Sequence, residues 1–177
     1  MATFNSETKV WDGEKVDYPF NNDTSVGAEI LKNLAATPER ILHICHDDET
    51  AMTCDEARLN TIRIAQNLTK LGYKAGDNMG IICTNSTYLP PTLYACLLIG
   101  APINPLDVAF RKDDIVQMFS QTKPKLVFCD SDVYGTVKEA IDELKSNAVI
   151  YTLRDVIDGV LFIAELIEPT SNESGFM

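Results

Sequence analysis

At 177 residues the chain has the length of one ordinary domain, and a globule of that size buries roughly 70% of the surface its unfolded chain exposes. Twenty-six acidic residues against fifteen basic ones leave a net charge of -11, which argues against nucleic acid or an anionic membrane as the main partner, because both need clustered cations. The five cysteines (Cys45, Cys54, Cys83, Cys96, Cys129) are odd in number and hold no C-x-x-C pair, so they read as reduced core thiols of an intracellular protein and exclude a disulfide framework.

The N-terminal segment lacks the apolar stretch of a secretory signal, and the longest apolar run, around Leu93 to Ile103, is too short to span a bilayer. The final Ser-Gly-Phe-Met is not an S-K-L type address. Residues 1–23 are polar and without period, which predicts a loosely held arm pinned to the surface by Val10, Trp11, Tyr18 and Phe20. Thr24 or Ser25 is placed to cap a helix with Val26, Ile30, Leu31 and Leu34 inward. Arg40 to His46 alternates as a strand, Asp47 to Thr50 supplies a turn, and Ala51-Met52 returns, so a hairpin is expected at the domain edge. Thr53-Cys54-Asp55-Glu56 matches a capping box, and Ala57, Ile64, Ala65, Leu68 and Leu71 form one helical stripe closed by Gly72.

Leu68 to Pro105 organises the rest. A turn at Gly72 to Asp77, an apolar strand Met79 to Thr84, a polar break at Asn85 and Ser86, a helix, and a second strand Ala101 to Asn104 make a β-α-β crossover. Pro90 and Pro91 are tolerated only in a first turn, so that helix is predicted to begin at or just before them. Leu106 to Lys112 reads as a loop, Arg111 to Thr122 as a helix with Ile115, Met118 and Phe119 inward, and Leu126 to Cys129 as a buried strand. Ser131 or Asp132 is expected to cap a helix bearing Val133, Val137, Ala140, Ile141 and Leu144, with a strand at Ala148 to Tyr151 and a short apolar helix at 160–167 after it. The alternation predicts an α/β fold with a doubly wound, mostly parallel sheet flanked by helices: an arm (1–23), a lobe (24–168) and a polar tail of linker composition (169–177).

Several residues invite a chemical role, and each has a plainer reading. His43, Cys45, His46, Asp47, Asp48 and Glu49 are rich in metal ligands, yet on a strand His43 and Cys45 face one way and His46 the other, which favours a hairpin end with solvated acids. Gly72, Gly76 and Gly80 precede a strand, whereas a phosphate loop follows one, so turn and cap duty is favoured. Asp107, Asp113 and Asp114 are better explained by the dipole of a helix start than by acid-base catalysis. Asn85 and Ser86 stand at the carboxyl end of a strand, where open α/β sheets place ligands, although helix capping also accounts for them.

Leu71-Gly72-x-x-x-Gly76-Asp77, then an apolar strand, Asn85-Ser86, a helix ending Ile99-Gly100-Ala101, and Asn104-Pro105 together resemble the N-terminal part of the adenylate-forming family of acyl-CoA synthetases, 4-coumarate-CoA ligases and beetle luciferases. Thr53, Glu56, Ala65 and Leu68 upstream and Lys125 to Phe128 downstream fit the same pattern, so the resemblance covers roughly residues 24 to 155. It implies a partial N-terminal domain of that fold. The complete enzymes activate a carboxylic acid with ATP and Mg2+ to an acyl adenylate and pass the acyl group to a thiol, usually coenzyme A.

The resemblance implies that the phosphate loop, the adenine and ribose contacts and the catalytic lysine belong to stretches not found in this sequence. No catalytic, cofactor-binding or metal-binding residue is therefore expected on the chain, and no cofactor for the chain alone. Thr53, Glu56, Gly72, Gly76, Asp77, Asn85, Gly100 and Pro105 are carried over as caps, turns and packing positions. A fragment inactive by itself is expected, with self-association or docking onto a full-length relative as the alternative role, and a peroxisomal or cytoplasmic setting. An independent flavodoxin-like ligand domain is the third possibility.

Overall fold

The computed structural model of the chain describes residues 2–14, 23–46 and 49–175. At the start, Asn5 Oδ1 accepts from the amides of Glu7 (3.0 Å) and Thr8 (3.1 Å), and this Asx turn folds β1 (Thr3–Asn5) back on β2 (Val10–Asp12) as an antiparallel hairpin. Within the expected arm (1–23), residues 3–12 thus form a hairpin. Trp11 packs on Phe4 (ring centroids 5.1 Å) and stays 69% exposed, so among the described residues it buries little; Tyr18 and Phe20 lie outside them.

In α1 (Val26–Ala36) the Ser25 hydroxyl accepts from the Ala28 amide at 3.1 Å. The inward stripe is Gly27, Leu31 and Leu34, while Val26, expected inside, is exposed. β3 (Ile41–Cys45) and β4 (Thr50–Thr53) form the expected antiparallel hairpin, with a register shift between Ile41 and His43; Asp47 and Asp48 lie outside the described residues. Next, α2 (Cys54–Lys70) opens with a complete capping box: Thr53 Oγ1 accepts from the Glu56 amide (3.2 Å) and Glu56 Oε2 from the Thr53 amide (2.8 Å). Its stripe Ala57, Ile64, Ala65 and Leu68 is buried, and Leu71, just past the end, is exposed.

The five remaining strands, β5 (Met79–Ile82), β6 (Ile103–Pro105), β7 (Leu126–Cys129), β8 (Val149–Thr152) and β9 (Leu161–Phe162), make one parallel sheet in the order β6-β5-β7-β8-β9. Their connections hold α3 (Leu89–Leu98), α4 (Lys112–Thr122) and α5 (Tyr134–Glu143), with α6 (Ala164–Ile167) after β9. The stretch expected as a helix over 160–167 therefore begins as an edge strand. Neither Ser131 nor Asp132 caps α5; a 3-10 turn, Ser131–Val133, leads into it without a side-chain cap.

Topology and handedness fix the layers. The β5-α3-β6 crossover runs one way along the sheet and the β6-α4-β7 and β7-α5-β8 crossovers run the other, so right-handed connections must put α3 on one face and α4 and α5 on the opposite face. Period-two alternation delivers this. Met79, Ile81, Leu126, Phe128 and Tyr151 pack with Ile64, Leu68 and Ala95 of α2 and α3, while Ile82, Val127, Cys129 and Ile150 pack with Ile115, Phe119, Val137 and Ile141 of α4 and α5. Gly80, inside β5, faces the second layer, where an added Cβ would stand 2.8 Å from Phe119 Cζ. Gly72 (φ 97°) and Gly76 (φ 85°) make the turn before β5 in the left-handed region, as expected.

Residues after α6, of linker composition, run back along α2. Asn67 Nδ2 donates to the carbonyls of Leu166 (3.0 Å) and Glu168 (3.1 Å), Gln66 to that of Asn172 (2.8 Å), and Arg63 pairs with Glu173 (3.0 Å).

Candidate functional site

In a parallel sheet of this order, helices leave the carboxyl ends of β5 and β7 toward opposite faces, and ligands of open α/β sheets bind in the crevice so formed. The loops 83–88 and 130–133 flank that crevice. Their own side chains close it. Asp130, 3% exposed, accepts with Oδ2 from the Thr84 amide (2.8 Å) and the Thr84 hydroxyl (2.7 Å), and Arg154, just after β8, donates to the same hydroxyl (3.0 Å). Ser131 donates to Asp155 (2.9 Å), so the loops after three strands are joined. The second oxygen of Asp130, Oδ1, is buried without a hydrogen-bond partner among the described residues. Burial, and secondarily the charge of Asp130, push the neighbouring Cys83 thiol up to about 12, which keeps it protonated and unreactive near neutral pH.

Each helix start at the carboxyl edge of the sheet carries prolines or acids. A phosphate held there needs free backbone N–H groups and an uncompensated dipole. In α3 the first turn contains Pro90 and Pro91, which have no N–H, and the Leu89 amide is turned back onto the Ser86 carbonyl (3.3 Å). In α4, Asp113 and Asp114 occupy the first turn, and Asp114 Oδ2 accepts from the Arg111 amide (3.1 Å). Asp107 Oδ1 accepts from Ala109 N at 2.8 Å, within a loop turn. At the third start, Asp130 and Asp132 stand beside the 3-10 turn.

Of the residues singled out in the sequence, the structure brings together His43, Cys45, His46, Asn85 and Ser86. With Ile44, Leu89 and Pro90 they line a cleft of about 320 Å³ between β3 and the start of α3. From His43 on the strand alternates as expected, with His43 and Cys45 more buried and Ile44 and His46 exposed, because the register shift lies before His43. No group of three metal-ligating side chains that could hold an ion occurs among the described residues. Asn85 and Ser86 are not helix caps in the strict sense, since α3 begins at Leu89 with Tyr88 before it and no side-chain cap bond.

Two further residues matter to the site's frame, and the sequence speaks of them only faintly. Asp77 is buried at the turn before β5, where its carboxylate pairs with Lys125 Nζ at 2.6 Å and accepts from the Lys74 amide at 3.1 Å; the Lys125 hydrogen bond, ahead of the Lys74 amide, holds it below the usual carboxylate range. Asp130 belongs to no motif. Its one signal is an acid directly after a fully apolar strand whose neighbours are parallel.

This combination of a five-stranded parallel sheet with helices on both faces and a proline-led α3 defines a doubly wound α/β lobe. The model of the AMP-binding enzyme family matches residues 30–172, and the chain belongs to that family. Among curated proteins it is 34% identical over 99 residues to the PKS-NRPS hybrid synthetase acdB of Aspergillus candidus, covering 52% of this chain and 4% of that protein. It is 20% identical over 162 residues to luciferin 4-monooxygenase of Photuris pensylvanica, covering 90% of this chain and 28% of that one. The chain thus spans less than a third of either relative. The luciferase-like enzyme of the nonluminescent Zophobas morio mealworm superposes with a TM-score of 0.84 at 22% identity, over 90% of this chain and 38% of that one. A benzoate CoA ligase from Burkholderia xenovorans does so at 0.73 and 15% identity, over 82% and 28%. These two likenesses speak to the fold. No helix among the described residues is long and apolar enough to cross a membrane.

Proposed function

We propose that the chain forms the N-terminal supporting lobe of an ATP-dependent acid-activating enzyme of the acyl-CoA ligase kind, and that it forms no acyl adenylate alone. One observation carries this reading: at the carboxyl edge of the sheet the helix starts present prolines and aspartates where a triphosphate needs amides and cations. In the complete enzyme, ATP with Mg2+ and coenzyme A would be held by groups supplied elsewhere. The lobe would contribute the packed wall formed by α2, α3 and the parallel sheet. The test is ATP-pyrophosphate exchange by the purified chain with fatty and aromatic acids. Exchange at background level is expected, and robust turnover sinks the reading.

A second role, docking onto a full-length relative or onto another copy, is favoured by exposed apolar side chains on the hairpin and on α1: Ile44 at 70%, Val26 and Ile41. It predicts a concentration-dependent mass in light scattering. A monomer that captures no full-length relative at any concentration tested removes this role.

A further inference from the structure

We propose that the cleft between β3 and the start of α3 binds a small uncharged ligand bearing a carboxamide. Pyrophosphate exchange tests the acid-activating reading and ligand titration tests the cleft, so the two fail independently.

The cleft is built. Its two walls are tied together where Cys45 Sγ donates to the Asn85 carbonyl at 3.9 Å and where the hydroxyls of Thr50 and Thr87 meet. Each wall contributes a lining residue whose buried polar atoms have no hydrogen-bond partner among the described residues. Ser86 is 7% exposed and its Oγ has no partner among the described residues; both ring nitrogens of His43, shielded from solvent as well, have none either. Shielded polar atoms without partners are rare in folded proteins and call for a ligand or water.

The chemistry of these groups selects the occupant. A neutral imidazole offers one donor and one acceptor, and a serine hydroxyl offers both, so the complement is a group that donates and accepts from adjacent atoms. A carboxamide does this. Charged groups fit poorly: among the described residues no Asp, Glu, Lys or Arg lines the cleft, and Pro90 and Pro91 remove the helix amides that would steady an anion. Ile44, Leu89 and Pro90 supply apolar wall for a hydrocarbon body, and at roughly 30 Å³ per small heavy group the space suits about ten heavy atoms.

Three isosteres that differ in charge decide the matter: benzamide, benzoate and benzamidine, titrated into the full chain labelled at histidine and serine and followed by NMR. Benzamide is expected to shift the His43 ring and Ser86 signals saturably, with the two charged isosteres at least about tenfold weaker. Ser86→Ala and His43→Phe should each weaken benzamide about threefold to tenfold, the worth of one hydrogen bond. Benzoate or benzamidine binding as tightly as benzamide overturns the assignment, and so do His43 and Ser86 signals that stay unmoved by benzamide. Should a variant fail to fold, titration of the unsubstituted chain with the three isosteres still separates these outcomes.

Discussion

Gly27 and Gly135 both occupy the second position of a helix, α1 and α5 respectively, yet alanine should have opposite effects at the two. At Gly135 an added Cβ meets nothing within 4 Å, so only the helix preference and the reduced freedom of the unfolded chain change, and Gly135→Ala should stabilise by about 0.5 kcal/mol in a first turn. At Gly27 the same Cβ would stand 2.5 Å from Leu98 Cα, 2.6 Å from Leu98 N and 2.9 Å from Leu97 C. Those atoms are backbone of α3 and cannot swing aside. α1 would have to retreat by about 1 Å, and overpacking of this kind costs about 1–3 kcal/mol. Net of the helix gain, Gly27→Ala should lose about 0.5–2.5 kcal/mol. For a chain of this size each kcal/mol moves Tm by about 2–4 °C, so the two variants should separate by roughly 2–12 °C. Far-UV circular dichroism is the suitable probe, because Trp11 is too exposed to report on the core. Equal shifts of the two variants in the same direction would refute the close approach of α1 to α3.

Three carboxylates are held below their ordinary range: Asp77 by Lys125, Glu56 by the Thr53 amide, and Glu173 by its own amide and Arg63. A depressed carboxylate adds stability that is whole above its unfolded value and is lost as pH falls through the folded one, so unfolding free energy should be level from neutral to about pH 5 and drop below about pH 4. Asp77→Asn should lower stability at pH 7 and bring the variant and parent curves together in acid; parallel curves down to about pH 3 would contradict this. Burial is the main cause that lifts the thiols of Cys83, Cys96 and Cys129 to about 12, so alkylation at about pH 8 should be at least about tenfold slower for these three in the folded chain than in urea. Rapid labelling of Cys96 in the folded chain would show that α3 is not seated as described.

The elements visible in the sequence are those whose signals are local. The capping box at Thr53 and Glu56, the left-handed glycines Gly72 and Gly76, and the proline pair at Pro90 and Pro91 each dictate backbone within a few residues, and each appears where expected. Features set by partners far along the chain leave no such trace. Leu161-Phe162 sits in an apolar run with no distinguishing period and becomes a strand only because β8 offers it an open edge. Spacing points Val26 inward, but the approach of α1 to α3 at Gly27 turns the stripe by one residue. Of the cleft, Asn85 and Ser86 are legible from their place after a strand, whereas their approach to Cys45, 40 positions earlier than Asn85, is not. The Asp130 clasp is hidden for the same reason, its partner Thr84 being 46 positions away.

That clasp also bears on how the chain reaches its native state. Thr84 meets residues 46 and 70 positions distant, so its bonds form only after β7 and β8 have docked beside β5, and long loops must be closed before any return is had from them. The rim where the strands end is consequently held by bonds that exist only once distant strands have docked, and it loses the Arg154 contact when β8 lets go.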